Sequence, residues 1–135
     1  MNRRKPILIV DDDPDDRYLI TLAFRDLVMP DKLQTVEHGQ KLLDYLDSVP
    51  DDVELPGLIV LDINMPVLDG ISTLAKIKSI DRYKNIPVVM LSTSDSDEDK
   101  AKATGLGAVD YIVKPYSYRD TKIVAQLLQN FVGEY

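Results

Sequence analysis

Apolar runs, each closed by a polar or charged residue, recur along the chain and set its organisation. Ile7-Leu8-Ile9-Val10 stops at Asp11, Gly57-Leu58-Ile59-Val60-Leu61 stops at Asp62, and Ile86-Pro87-Val88-Val89-Met90-Leu91 stops at Ser92. A strand that is apolar on both faces belongs inside a parallel sheet covered by helices, so these runs predict buried strands. Val109 to Val113 predicts another strand, running into Lys114-Pro115. Leu33 to Glu37 instead alternates apolar and polar residues, as expected at a sheet edge with one wetter face.

Between the strands the hydrophobic period becomes helical. Pro14 behind Asp13 predicts Pro at the first helical position after an Asp cap. Ile20, Ala23, Phe24 and Leu27 carry that helix to about residue 28, where Met29-Pro30-Asp31 stops it. Leu42, Leu43, Tyr45 and Leu46 predict a second helix to about residue 48, and Pro50 to Gly57 an acidic loop bracketed by prolines, the longest irregular piece. Ile71, Leu74, Ile77 and Ile80 give a third helix. Ser94 or Ser96 caps a fourth, carrying Ala101 and Ala103, and Ile123, Val124, Leu127, Leu128 and Phe131 mark a fifth.

The expected strand ends, at residues 11, 37, 62, 92 and 114, lie 22 to 30 residues apart, one strand-helix unit each. Five such units predict an α/β fold: a doubly wound five-stranded parallel sheet in the flavodoxin-like order 2-1-3-4-5, with helices on both faces. In that order strand one neighbours strand three, and the ligand cleft opens between their carboxyl ends.

Composition narrows the class. A chain of 135 residues, 44% hydrophobic, suits one domain spanning residues 1–135, with its core at about 6–131. With 16 basic against 23 acidic residues the net charge is −7, which argues against nucleic acid as a direct partner. The chain has no cysteine, so thiolate metal sites and disulfides are excluded. Its basic start leads into an apolar run too short for a signal peptide or a membrane span, so a cytoplasmic protein without membrane attachment is expected.

The order of strands brings chemistry to one edge. Asp11, Asp12 and Asp62 converge there, and clustered carboxylates are most simply stabilised by a hard divalent cation, Mg2+ first. Ser92 and Lys114 end the neighbouring strands and add a hydroxyl and an ammonium. Together they form a kit for phosphoryl transfer to a carboxylate.

From Pro6 to Phe131 the chain resembles a receiver domain of two-component response regulators, the matching positions arriving in order on the expected strand ends. Asp12-Asp13-Pro14, the acidic loop before strand three and Ser92-Thr93-Ser94-Asp95 are most similar to single-domain regulators partnered with phytochrome-type sensor kinases. The resemblance implies that Asp62 accepts a phosphoryl group from a sensor histidine kinase or a histidine phosphotransfer protein. It implies Mg2+ held by Asp12, Asp62 and the backbone carbonyl of Asn64, with Asp11 acting largely through a water. It further implies Ser92, with Thr93 beside it, as the switch hydroxyl, Tyr111 as the mobile aromatic and Lys114 as the phosphoryl-binding lysine. Lys114-Pro115 matches a peptide bond that is often cis in that family. Phosphorylation would change the surface of helix four, strand five and helix five, which could also pair two copies as a homodimer. Since the chain ends at Tyr135, directly after helix five, no output domain is expected, and the output is binding to a downstream protein.

Two other readings stay open. Asp11 and Asp13 have the spacing of a strand-one nucleophile and its acid partner in metal-dependent phosphohydrolases, although there is no room for a cap domain. A phosphorylation-independent interaction module would use the same fold without the chemistry. Single acids also have plain uses: Asp13, Asp15 and Asp16 as cap and helix-start charges, and Asp95, Asp97, Glu98 and Asp99 as a solvated rim. His38 reads as a surface turn, and Tyr116 and Tyr118 as part of the output surface.

Overall fold

The computed structural model describes residues 5–27 and 33–133. Each of the five expected strands forms: β1 (Ile7–Val10), β2 (Leu33–Val36), β3 (Leu58–Leu61), β4 (Val88–Ser92) and β5 (Asp110–Val113). They alternate with α1 (Pro14–Arg25), α2 (Gly39–Ser48), α3 (Gly70–Ser79), α4 (Asp97–Gly105) and α5 (Tyr118–Gln129). All strand pairs are parallel and the order is β2-β1-β3-β4-β5, the flavodoxin-like arrangement expected.

Residues of β1, β3 and β4 are buried throughout because each face of the sheet has its own core. Leu8, Val10, Ile59, Leu61, Val88 and Met90 point to one side, against Leu42, Leu46, Leu74, Ile77 and Ala103 from α2, α3 and α4. Ile7, Ile9, Leu58, Val60, Val89 and Leu91 point to the other, against Ile20, Ala23 and Phe24 of α1 and Ala125 and Leu128 of α5. Edge strand β2 gives one half-buried apolar residue to each core, Leu33 and Val36, and exposes Gln34 and Thr35.

Element ends follow local hydrogen bonding. Asp13 caps α1 through Asp15 N, with Pro14 in the first turn. Helix α1 ends at Arg25 rather than about residue 28: Asp26 N still bonds to Leu22 O four residues back, but Leu27 N tightens to Phe24 O three residues back; the expected stop at Met29-Pro30-Asp31 lies outside the described residues. His38 caps α2, its Nδ1 accepting from Lys41 N; Asp69 caps α3, Ser96 caps α4 and Ser117 caps α5. Val109, expected in the last strand, is exposed and precedes β5.

The acidic loop is less irregular than its composition suggests: Asp52–Glu54 form a 3₁₀ turn capped by Asp51. Arg82 pins it, with Nε 2.6 Å from Asp52 Oδ1 and NH2 donating to the Val49 carbonyl at 2.5 Å. At the edge of the sheet where the strands begin, Lys5 N donates to Gly133 O, Gly133 N to Gly57 O and Gly57 N to Pro6 O. These three bonds fasten the two ends of the described chain to the entrance of β3.

Candidate functional site

At the opposite edge, where strands end, β1 and β3 are paired with Val10 beside Leu61, so Asp11 and Asp62 leave adjacent strands side by side. Backbone bonds fix both: Asp11 N donates to Val36 O and Asp62 N to Val10 O. Both side chains are buried, while Asp12 is exposed. One carboxylate oxygen from each of Asp11, Asp12 and Asp62 lies within 4.8 Å of the others. Three oxygen donors so gathered, one open to solvent, fit a hard divalent cation.

Lys114 enters from the end of β5, its backbone N–H bonded to the Ser92 carbonyl at 2.8 Å. Its ammonium lies 2.6 Å from Asp11 Oδ2, 2.7 Å from Asp16 Oδ2 and 3.1 Å from Asp62 Oδ2. The other oxygens of the buried pair are held by backbone: Asp11 Oδ1 accepts from Asp13 N at 2.9 Å and Asp62 Oδ1 from Ile63 N at 2.7 Å. Burial pushes the Asp11 carboxyl up to about 6, against the lowering effect of Lys114 and the Asp13 N–H. Burial works against the Lys114 ammonium, but hydrogen bonds to Asp11 and Asp16 and the charge of Asp62 outweigh it and raise its pKa. A small cavity below this cluster runs between α1 and α5, bounded by Leu19, Pro115 and Val124.

Ser92 is fully buried at the end of β4. Its Oγ accepts from Ser94 N at 3.3 Å, and the Ser94 carbonyl accepts from the Tyr111 hydroxyl at 2.7 Å. A chain of two bonds therefore joins Ser92 to the half-buried Tyr111 through the loop before α4. Thr93 is exposed beside the buried Ser92, and Asn64 is exposed two residues beyond Asp62, between the buried Ile63 and Met65. Among the described residues no peptide bond is cis, Lys114–Pro115 included. The loop after Asp62 contains a tight turn at Val67, φ 66°, with Leu68 N bonded to Pro66 O at 2.7 Å.

The sequence reading took Asp16 for a helix-start charge and missed its contact with Lys114. The available signal was a surplus: more acids after β1 than a cap and a cation require. Asp13, by contrast, is occupied as the α1 cap, its Oδ1 accepting from Asp15 N at 2.9 Å, which leaves it poorly placed as the acid partner of a strand-one nucleophile. Tyr118 faces α1 rather than the α4 side, its hydroxyl 2.5 Å from Asp26.

The sequence profile of the response regulator receiver domain matches residues 7–127. Among curated proteins, the probable methanogenesis regulatory protein FilR2 of Methanothrix harundinacea is 33% identical over 93% of this chain and 81% of its own length. The chain spans between 15% and 43% of several other curated relatives that it matches. The crystal structure of the phosphorylated cyanobacterial phytochrome response regulator RcpA superposes with a TM-score of 0.84 at 33% identity, covering 95% of this chain and 93% of that one. The Mn2+-bound form of response regulator Rcp1 gives 0.82 at 29% identity, covering 94% and 93%.

Proposed function

The chain belongs to the response regulator receiver family, whose members are regulatory phospho-acceptors, and on that premise we propose that Asp62 is the residue it phosphorylates. The observation that carries this reading is the Lys114 ammonium resting on Asp11 and Asp62 beside a third carboxylate within 4.8 Å. The donor is a phosphohistidine on a sensor histidine kinase or a histidine phosphotransfer protein. An Asp62 carboxylate oxygen attacks phosphorus, an O–P bond forms, and the N–P bond breaks with its electron pair returning to the histidine ring. Asp11, Asp12, Asp62 and the backbone carbonyl of Asn64 would hold Mg2+, whose charge neutralises the gathered carboxylates and the phosphoryl oxygens. Lys114 supplies a fixed ammonium to an oxygen of the transferred group, and Ser92 supplies a hydroxyl donor to another. Hydrolysis of the acyl phosphate by water, assisted by the same groups, returns Asp62 to a carboxylate.

Output follows from the two-bond chain at Ser92. Drawing the Ser92 hydroxyl toward the phosphoryl group releases the Ser94 N–H and displaces the Ser94 carbonyl, which removes the partner of the Tyr111 hydroxyl. Tyr111 then turns inward and the α4-β5-α5 surface changes, biasing an existing two-state equilibrium. The downstream partner is a protein that reads that surface, or a second copy of the chain. We read residues 1–135 as a single receiver domain acting in the cytoplasm. Among the described residues no helix is long and apolar enough to cross a membrane.

The test is incubation with Mg2+ and a small phosphodonor, with the mass increase of one phosphoryl group mapped by peptide. Incorporation on Asp62 that disappears in Asp62→Asn and with chelator is expected. Undiminished incorporation in Asp62→Asn overturns the assignment, and phosphomonoester turnover lost in Asp11→Ala but kept in Asp62→Ala replaces it with a strand-one hydrolase.

A further inference from the structure

Lys114 has more carboxylate partners than the phospho-acceptor reading uses. An ammonium has three N–H donors and no acceptor, and here it faces three carboxylates: Asp11 at 2.6 Å, Asp16 at 2.7 Å and Asp62 at 3.1 Å. Two of the three belong to the trio close enough to share an ion, Asp11, Asp12 and Asp62; Asp16 does not. Asp16 comes from the first turn of α1, 98 residues from Lys114 in sequence, and its side chain is 34% exposed against 7% for the other two. The lysine is thus held between a cation-binding pair and one acid outside it.

We infer that Asp16 is a positioning residue whose contact with Lys114 keeps the ammonium aimed at the phosphoryl group on Asp62. This rests on Asp62 being the acceptor. Phosphorylation moves the negative charge from the Asp62 carboxylate out to the phosphoryl oxygens, so the ammonium must follow it, and cation binding draws on the Asp11 oxygens. Asp16 is then the carboxylate that still holds the lysine, occupying one N–H and leaving two for phosphoryl oxygens. Without it the four-carbon stem regains its rotamers, and the ammonium must be ordered again at each phosphorylation. The contact also ties the end of β5 to α1, so that capture of the phosphoryl group is felt by that helix.

Beryllium trifluoride, which adds to a carboxylate oxygen as a phosphoryl mimic, isolates this step from turnover. With the full chain and Mg2+, Asp16→Asn is expected to weaken its binding about tenfold, the value of one charge-assisted hydrogen bond, and Asp16→Glu to recover part of the loss. In a Lys114→Ala background, Asp16→Asn is expected to cause no further loss, because a residue acting through the lysine has nothing left to position. In metal-free protein, the Lys114 ammonium protons should exchange with solvent faster in Asp16→Asn by NMR. Unchanged binding in Asp16→Asn overturns the inference. So does an equal loss with and without Lys114, which marks a long-range charge effect. A wild-type chain that takes neither the mimic nor phosphate at Asp62 overturns the acceptor reading itself, and the inference with it.

Discussion

Gly70 stands directly behind Asp62: a Cβ at position 70 would lie 1.9 Å from the Asp62 carbonyl oxygen and 2.7 Å from Ile63 Cα. The first residue of α3 is therefore packed against the backbone that presents the central acid, and Gly70 N completes the contact by donating to Ile63 O at 2.7 Å. Backbone cannot swing aside as a side chain can. Gly70→Ala should cost about 3 kcal/mol and reduce Mg2+-dependent phosphorylation as Asp62 shifts. Gly105, with nothing within 4 Å of its added Cβ, is the contrast: Gly105→Ala should stabilise α4 by up to about 1 kcal/mol. Urea denaturation of both variants measures the pair.

Val67 carries a β-branched side chain at φ 66° in the tight turn that follows the site, and 77% of its surface is exposed. Burial lost on substitution is small, so backbone strain decides the outcome. Relief of strain worth about 1–3 kcal/mol exceeds the roughly 0.5–1 kcal/mol that glycine adds in unfolded-state entropy. Val67→Gly should therefore raise stability by about 1 kcal/mol, read from the denaturation midpoint at constant m-value.

Clustered acids make the site a stability liability that a cation removes. With Mg2+ at a hundred times its Kd, the folded state gains about 2.7 kcal/mol, seen as a higher Tm that chelator reverses. Asp12→Ala should abolish that gain while leaving the metal-free protein as stable as the wild type or more so, because a like charge beside Asp11 and Asp62 is gone. Thermal melts with and without Mg2+ check both halves.

Tyr118 and Asp26 predict an alkaline effect away from the site. The hydrogen bond to Asp26 pushes the Tyr118 hydroxyl up to about 12, with burial and the Asp26 charge adding to it. The folded pKa exceeds the unfolded value, so the contact's contribution is complete below pH about 10 and is lost as pH rises from there through 12. Asp26→Ala should return the Tyr118 titration toward 10. Carbon-13 NMR of the ring Cζ resolves it from the other tyrosines.

Much of this architecture is legible in residue pattern, for a physical reason. Strands β1, β3 and β4 are covered on both faces, so their apolar runs carry no competing message, and the acid or hydroxyl that ends each run falls at the sheet edge. Asp11, Asp12, Asp62, Ser92 and Lys114 were found that way. Asp16 is the helix-start acid its position predicts, and its second contact, with Lys114, stayed hidden because nothing in local sequence brings residue 114 beside it. The Val67 turn was unreadable for the opposite reason, since valine is the residue least expected at positive φ. His38 and Asp69 caps were missed where the apolar stripe, starting several residues later, drew attention away from the first turn.

The hydrogen bonds that fasten Lys5 and Pro6 to Gly133 through Gly57 make the chain nearly a closed ring, with its seam on the side remote from the acids. A circularly permuted protein should consequently fold: a short linker joining Gly133 to Lys5 would close the seam, and a new opening at the exposed Asp51-Asp52 bend would leave every strand intact. Sensor domains or reporters could be spliced at that opening, ahead of the start of β3 and away from the strand end that carries Asp62.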